Sequence, residues 1–406
     1  MALEGRDLVS IFDFSDREIE AVFDLADEMG QHTHGKLGLA DGLIMSTLFY
    51  EPSTRTRLSF ESAMQRLGGG VISVADASVT SVAKGETIAD TVRIVESYAD
   101  LIVIRHPLEG SARVAAEYAS IPVVNAGDGA HEHPTQTLLD LYTIRREKGK
   151  LRGLNVALVG DLRHGRTAHS LAFGLARFGA TVTCVAPAGL EMPAHLLARL
   201  SAEFDCHPAQ HRSLLDVVTN SESVQRRAGD QKALAAEVLS LFDAVYVTRV
   251  QKERFDSEEA YRAAKSTYAI TEEVIARAKP DALVMHPLPR VDELTYAVDR
   301  DPRAIYFRQA GYGLPVRMAL VAAILGRRTA PIGRARKGEY KPKARHEVDF
   351  RKMGEVRCPN PPCVANHEVY LAPRFLLIDY APDRVACAYC EHEMPSPVPP
   401  RQEDGE

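Results

Sequence analysis

Residues 48–70 read LFYEPSTRTRLSFESAMQRLGGG. An apolar run stops at Glu51 and Pro52, and Ser53, Thr54 and Thr56 then put short oxygen side chains where the N-cap and first turn of a helix belong. Phe60, Met64 and Leu67 follow at helical spacing and predict a buried stripe. GLIMSTLFY, at 42–50, reads as a buried strand, so strand runs into helix and the helix start lies at the strand's carboxyl end. Open parallel sheets bind ligands there, and the first turn offers free N–H groups and the positive end of the helix dipole. Arg55 and Arg57 sit in that turn, where the dipole repels cations. An anion would offset their placement, whereas the alternative, an ordinary capped surface helix, leaves it unexplained.

Working outward, SDREIEAVFDLADEMG at 15–30 predicts a packing helix capped by Ser15, with Glu18 at the capping-box position and Gly30 as the stop. After residue 70, VISVAD and LIVIRHP read as further strands, the second delivering Arg105 and His106. A helix over 111–119 and the strand IPVVNA lead to GDGAHEHPTQTLLDLYTIRREKG, a second strand-to-helix junction. There His133 precedes Pro134, a preferred first helical residue, and Thr135, Gln136 and Thr137 fill the first turn. Taken alone, His133 is more often a packed or solvent-facing histidine than a catalyst.

LRGLNVALVGDLRHGRTAHSLAFGLARFGATVTCVAP, at 151–187, begins a second β-α-β series. Gly160 and Gly165 do not complete G-x-G-x-x-G, and the next strand ends in Ala186 and Pro187 without an acidic residue for a ribose, so a dinucleotide site is rejected. Arg166 nevertheless stands at another helix start. Residues 205–239 are polar and weakly patterned, and read as an insertion without chemistry. FDAVYVTRVQKERF gives a strand that ends at Thr248, Arg249 and Gln251; for its charge run alone, a solvated face is the ordinary reading. ALVMHPLPRVDE gives another strand, after which prolines on both sides of Leu288 predict a rigid turn that leaves the carbonyls of Pro287 and Leu288 as acceptors. An X-Pro bond there is a candidate for the cis form. A hydrophobic helix closes this part of the chain.

The 406 residues suit two or three domains, and 45% hydrophobic with 26% charged residues is ordinary globular usage. A formal charge of −6 argues against a generally basic nucleic-acid binder, and no apolar run is long enough to span a membrane. The expected protein is soluble and cytoplasmic, with neither membrane nor nucleic acid as partner. Cys358, Cys363, Cys387 and Cys390 crowd the end of the chain as two knuckles. Four thiolates complete a tetrahedral shell with no open position, which predicts one structural zinc, with iron the weaker alternative. So short a region needs the metal for its folding free energy. The basic stretch 327–345 reads as a solvated tether and PSPVPPRQEDGE as a disordered tail.

Together STRTRLSFE (53–61), KGET (84–87), RHP (105–107), HPTQTLLDL (133–141), GRT (165–167), TRVQKER (248–254) and HPLPR (286–290) resemble the motifs of the aspartate carbamoyltransferase family, in the family's order. The cysteine module is similar to the zinc domain of that enzyme's regulatory chain. The resemblance implies an α/β fold of two doubly wound parallel-sheet domains plus a small C-terminal four-cysteine zinc domain. Its expected divisions are 1–146 for carbamoyl phosphate, completed by helix 311–327; 147–310 for aspartate; a basic linker, 328–350; the zinc domain, 351–396; and the tail, 397–406. It implies transfer of a carbamoyl group from carbamoyl phosphate to L-aspartate in pyrimidine biosynthesis, without a catalytic cofactor. By the family pattern Ser53, Thr54, Arg55 and Thr56 hold the phosphate, helped by Arg105. Thr56, Arg105 and His133 donate to the carbonyl oxygen, and Gln136 with the carbonyls of Pro287 and Leu288 holds the NH₂. Arg166, Arg249 and Gln251 grip aspartate, joined by Lys84; Ser81 and Lys84 are expected from a neighbouring subunit, Ser81 being the less secure match. A homotrimer or a multiple of trimers follows, with a regulatory chain or a dihydroorotase as candidate partner. The regulatory chain's nucleotide-binding domain has no counterpart at 330–357. The alternatives are an ornithine-type carbamoyltransferase, disfavoured by Pro287 and by arginines suited to a diacid, and a non-catalytic zinc-bearing scaffold.

Overall fold

The computed structural model describes residues 3–75, 85–219, 238–250, 257, 259, 261, 268–276, 278–329, 332, 339–348 and 356–396. Two compact units divide the chain, one formed by 1–135 with 314–406 and the other by 136–313.

In the first unit, strands β1 (Ile44–Phe49), β2 (Gly70–Val74), β3 (Leu101–His106) and β4 (Val123–Asp128) form a parallel sheet in the order β2-β1-β3-β4. Helices α1 (Asp16–Met29), α2 (Thr54–Leu67), α3 (Ile88–Val95) and α4 (Ser111–Tyr118) accompany it. Ser15 and Glu18 make the expected reciprocal capping box at the start of α1. In α2, Phe60, Met64 and Leu67 are fully buried, each contributing roughly 1.5–3 kcal/mol of apolar burial. This helix stops at Gly68, whose left-handed φ of +102° closes it. The order β2-β1-β3-β4 reverses direction between β1 and β3, and a crevice opens at the carboxyl ends of strands where an open sheet reverses.

The second unit repeats the plan with β5 (Asn155–Val159), β6 (Thr181–Val185), β7 (Ala209–His211), β8 (Ala244–Val247) and β9 (Leu283–Met285). All neighbouring strands are parallel, in the order β7-β6-β5-β8-β9, and the reversal falls between β5 and β8. Among the described residues the helices are α5 (Pro134–Lys148), α6 (Arg166–Arg177), α7 (Ala194–Phe204), α8 (Leu214–Thr219), α9 (Glu272–Ile275) and α10 (Tyr306–Ile324); the unit boundaries fall inside α5 and α10. Val159, Val185, Val245, Val247 and Val284 centre its core. The segment read as an insertion at 205–239 therefore supplies an edge strand, β7, and α8, while 220–237 lie outside the described residues. An edge strand of three residues with an exposed face carries too few apolar side chains to announce itself.

The end of the chain adds an antiparallel sheet of β10 (Glu347–Val348), β11 (Phe375–Leu377), β12 (Arg384–Cys387) and β13 (Glu393–Pro395) to the first unit. Its Val364, Leu371, Phe375, Val385 and Tyr389 join one buried cluster with Ile88, Val92, Ile102, Ile104 and Val114. Within the basic stretch before it, Glu339 pairs with Arg17 at 2.5 Å and Tyr340 packs on Phe12, so this part lies on the surface near α1 instead of hanging in solvent.

Candidate active site

Ser53 occupies the N-cap position of α2 in extended backbone, yet its side chain makes no capping bond. The cap expected from sequence is thus a cap by position only, and the hydroxyl and first-turn N–H groups are suited to an external acceptor. Thr54 and Arg55 are exposed in this turn and Thr56 is buried. The two arginines have different explanations. Arg57 lies 3.8 Å from Glu61, four residues on, so a carboxylate of its own helix accounts for it. Arg55 pairs with no carboxylate among the described residues, and partial desolvation lowers its pKa from the ordinary arginine value.

Neighbouring β3 brings Arg105 alongside, because Phe49 is in register with Arg105 and the N–H of Tyr50 donates to its carbonyl at 2.8 Å. The guanidinium is buried, donating to the carboxylate of Glu51 at 2.7 Å and to the carbonyl of Ala126 at 3.2 Å. At the β4–α5 junction, buried His133 places Nε2 3.5 Å from Oγ1 of Thr56, and its Nδ1 lies 3.4 Å from Oγ1 of Thr135. The fold thus brings Thr56 and His133, separated by 77 positions, to one place beside the reversal of the first sheet.

In the second unit, Gln136 donates its amide nitrogen to Asp140 at 2.9 Å. Asp140 is fully buried and also accepts from Gln309 at 2.6 Å and from the Tyr246 hydroxyl at 2.8 Å. An ionised carboxylate only accepts, so it orients the Gln136 amide with nitrogen inward and leaves the carbonyl oxygen as the outward acceptor. Gln309 carries the network on, since its Oε1 accepts from the N–H of His286 at 2.9 Å. Leu288 donates its N–H to Nδ1 of His286 at 2.7 Å, and Nε2 of that ring meets Glu293 at 2.8 Å. Leu288 has a φ of +56° and the Leu288-Pro289 bond is cis, as the two prolines suggested. The carbonyl-bearing turn is therefore held from a buried scaffold.

Arg166 begins α6 after Gly165, at the end of β5, and exposed Arg249 follows β8, the adjacent strand. Thr248 clamps the two strand ends, donating its N–H at 2.7 Å and its hydroxyl at 3.1 Å to the carbonyl of Val159. Ser81, Lys84 and Gln251 lie outside the described residues.

Four buried sulfurs gather in the terminal module, Cys358 to Cys390 at 3.6 Å and Cys363 to Cys387 at 3.7 Å. A tetrahedral ion with metal–sulfur bonds of about 2.3 Å separates its sulfurs by about 3.8 Å, so the donor set fits such an ion. Glu51, Asp140, Tyr246, His286, Glu293 and Gln309 went unremarked in the sequence as functional residues. Asp140 left a signal, an acid among the apolar positions Leu138, Leu139 and Leu141 of α5, and His286 another, at the head of HPLPR.

Three family models match the chain: the aspartate/ornithine carbamoyltransferase carbamoyl-P binding domain at 6–146, the Asp/Orn binding domain at 152–324, and the metal binding domain of the aspartate carbamoyltransferase regulatory chain at 352–396. The aspartate carbamoyltransferase catalytic subunit of Thermoplasma acidophilum is 47% identical over 331 residues, covering 80% of this chain and 99% of the relative. That of Thermococcus kodakarensis is 49% identical over 328 residues, with the same coverage. Among solved structures, the catalytic subunit of M. jannaschii aspartate transcarbamoylase aligns with a TM-score of 0.70 at 44% identity, covering 79% of this chain and 98% of that one. Aspartate transcarbamoylase from Trypanosoma cruzi in complex with N-(phosphonacetyl)-L-aspartic acid aligns at 0.71 and 41%, covering 80% and 97%. No helix among the described residues is long and apolar enough to cross a membrane. With catalytic-subunit relatives spanning its first four-fifths and a metal-binding module of the regulatory-chain type following, the chain belongs to the aspartate carbamoyltransferase family.

Proposed function

We propose that the chain carries out this family's reaction, transfer of the carbamoyl group of carbamoyl phosphate to the amino group of L-aspartate, with the residues described above. The observation that carries the reading is the meeting of Thr56 and His133 at 3.5 Å, at the uncapped start of α2, with Arg105 delivered by the neighbouring strand β3. Ser53, Thr54, Arg55 and Thr56 take the phosphate, whose charge is stabilised by the helix start and by the arginine. Thr56, Arg105 and His133 donate to the carbonyl oxygen as it becomes negative. The amino nitrogen of aspartate attacks the carbonyl carbon, the bond from that carbon to the phosphate oxygen breaks, and the departing phosphate takes the amine's proton. Donors placed for a developing oxyanion are worth on the order of 100-fold or more in rate each. Gln136, oriented by Asp140, accepts from the carbamoyl NH₂ together with the carbonyls of Pro287 and Leu288.

Arg166 and Arg249 receive the two carboxylates of aspartate, with Gln251 and Lys84 assisting; guanidinium forks suit carboxylates. Ser81 and Lys84 act from a neighbouring copy, so the working assembly is a trimer or a multiple of it. The metal is zinc, held by Cys358, Cys363, Cys387 and Cys390. It closes the module and takes no part in the reaction.

The purified chain, given carbamoyl phosphate, is expected to consume aspartate and not ornithine. Product from ornithine would reassign the substrate, and none from either would remove the enzymatic reading. Arg55→Ala is expected to lower kcat/KM by at least about 100-fold with the thermal unfolding midpoint unchanged. Wild-type turnover in that variant would place the phosphate elsewhere.

A further inference from the structure

His133 is reached through a short turn, 128–132, that leaves β4. The turn is closed internally: the N–H of Asp128 donates to the carbonyl of Glu132 at 3.2 Å, and the N–H of His131 to the carbonyl of Asp128 at 3.0 Å. Its carboxylates anchor it on the inner side. Asp128 accepts from the N–H of Gly110 at 2.9 Å, from Asn125 at 3.0 Å and from the N–H of Glu132 at 3.1 Å. Glu132 accepts from the Ser10 hydroxyl at 2.6 Å and from the N–H of Ile11 at 3.1 Å.

The outer side of this turn faces the metal module. A Cβ on Gly110 would stand 2.6 Å from the carbonyl carbon of Tyr389, so the knuckle bearing Cys387 and Cys390 rests directly on the backbone that Asp128 holds. Pro362 and Asn360, beside the other knuckle, bind Glu109: the carbonyl of Pro362 accepts from its N–H at 2.9 Å, and Asn360 donates to its carboxylate at 2.6 Å. Glu391 directly follows Cys390. Donor atoms of His131, Glu132 and Glu391 lie within 4.8 Å of one another. His131 also pairs through Nδ1 with Asp128 at 3.0 Å.

These side chains could be taken for a cation site, but the cluster has its cation already. Burial by itself favours neutral His131; the attraction of Asp128, joined by Glu132 and Glu391, outweighs it and raises the imidazole to about 10. Both Glu132 oxygens have donors, and Glu391 also accepts from Arg345 at 2.7 Å. The arrangement is a ring of carboxylates around one imidazolium, contributed partly by the turn before His133 and partly by the metal knuckle.

We infer that Glu391 of the metal module, acting on the His131 side chain, holds the 128–132 turn in place and so makes the module a positioning element for His133. The inference rests on the reading of His133 as a donor to the carbonyl oxygen. That donor must be placed within a fraction of an ångström, and the only covalent link between His131 and His133 is one residue. Neither Glu391 nor His131 touches a substrate in this account.

The test compares His131→Gln, Glu391→Gln and the double variant in the full-length, metal-loaded chain. Each single variant is expected to lower kcat about tenfold while changing the KM for aspartate less than about twofold. The double variant should be no slower than the slower single one, because both remove the same attraction. Metal content should be unchanged. Amide hydrogen exchange provides a readout independent of turnover: Glu391→Gln should speed exchange at 129–132 and leave α1 unaffected. Should His131→Gln fail to fold, Glu391→Gln still decides, since it removes the charge from the less buried partner. Wild-type kcat and exchange in Glu391→Gln, or losses that add in the double variant, overturn the inference. His133→Ala separates the two levels: if it is slow and Glu391→Gln is not, the positioning role alone fails, whereas an active His133→Ala also removes the role given to His133.

Discussion

His106 is buried in the first unit and His131 nearly so, with 13% of its side chain exposed, and their environments drive them in opposite directions. At the end of β3, His106 accepts from the N–H of Leu108 through Nδ1 at 3.1 Å and stands edge-on to Tyr50, with ring centroids 5.2 Å apart. Burial dominates there and lowers its pKa to about 4; Asp128 and Glu51 oppose this only in part. His131 touches Asp128 directly, and there the carboxylate prevails. The His106 imidazole is about 6.5 when unfolded, so between pH 6.5 and 4 the unfolded chain binds a proton that the folded chain refuses. Stability must fall as the pH falls through that window, by about 2 kcal/mol at pH 5 for this one group. His106→Asn keeps an acceptor for Leu108 and removes the titration. Its loss of unfolding free energy between pH 7 and pH 5, measured with urea, is expected to be about 2 kcal/mol smaller than that of the parent chain. Equal losses would show that the folded imidazole is not held neutral. Such differences between like residues cannot be read from the string HEHP or RHP, since each depends on which carboxylate the fold delivers.

Helix starts and their apolar faces were the most legible elements. The capping box of α1, the apolar stripe of α2 and the proline start of α5 each follow from local spacing, and each forms as the spacing predicts. Junction geometry beyond local spacing was less legible. Gly160, after β5, has a φ of +117°, and a Cβ there would lie 2.6 Å from the Thr248 hydroxyl oxygen and closer still to its carbonyl. Only glycine lets the ends of β5 and β8 approach this closely. Gly160→Ala is therefore expected to push Thr248 away and misplace the segments that carry Arg166 and Arg249. Steady-state kinetics should show the KM for aspartate rising at least about tenfold, together with a fall in the unfolding midpoint of several degrees. An unchanged KM would separate this clamp from the proposed aspartate site. The motif GDLRHGR showed a turn opening a helix, but gave no sign that Thr248, remote in sequence, closes it.

At the scale of the molecule, the fused module is the feature whose setting the sequence left open. It shares a hydrophobic cluster with β3, α3 and α4, and Nη1 of Arg374 lies 2.8–2.9 Å from both carboxylate oxygens of Glu117 of α4. A module built in this way transmits its own stability to the unit it covers. Removing the metal from the full chain with a chelator should uncouple four thiols from one another, expose part of this cluster, and lower the unfolding midpoint by roughly 5 °C or more. Calorimetry on the loaded and stripped protein checks this. An identical midpoint would mean that the four cysteines hold no ion of structural weight.

The sequence by itself determined the two series of parallel strands, the helix starts with their free N–H groups, the residues that resemble a carbamoyltransferase site, and the four-cysteine module. These depend on spacing along the chain, which periodicity and capping chemistry record directly. Only the tertiary structure decided that Thr56 meets His133, that Asp140 and Gln309 support both Gln136 and the turn of Pro287 and Leu288, and that the module rests on Gly110 and Glu109. The reason is physical. Those contacts join residues tens to hundreds of positions apart, and what sets them is the order of strands in a sheet and the burial of one apolar face on another.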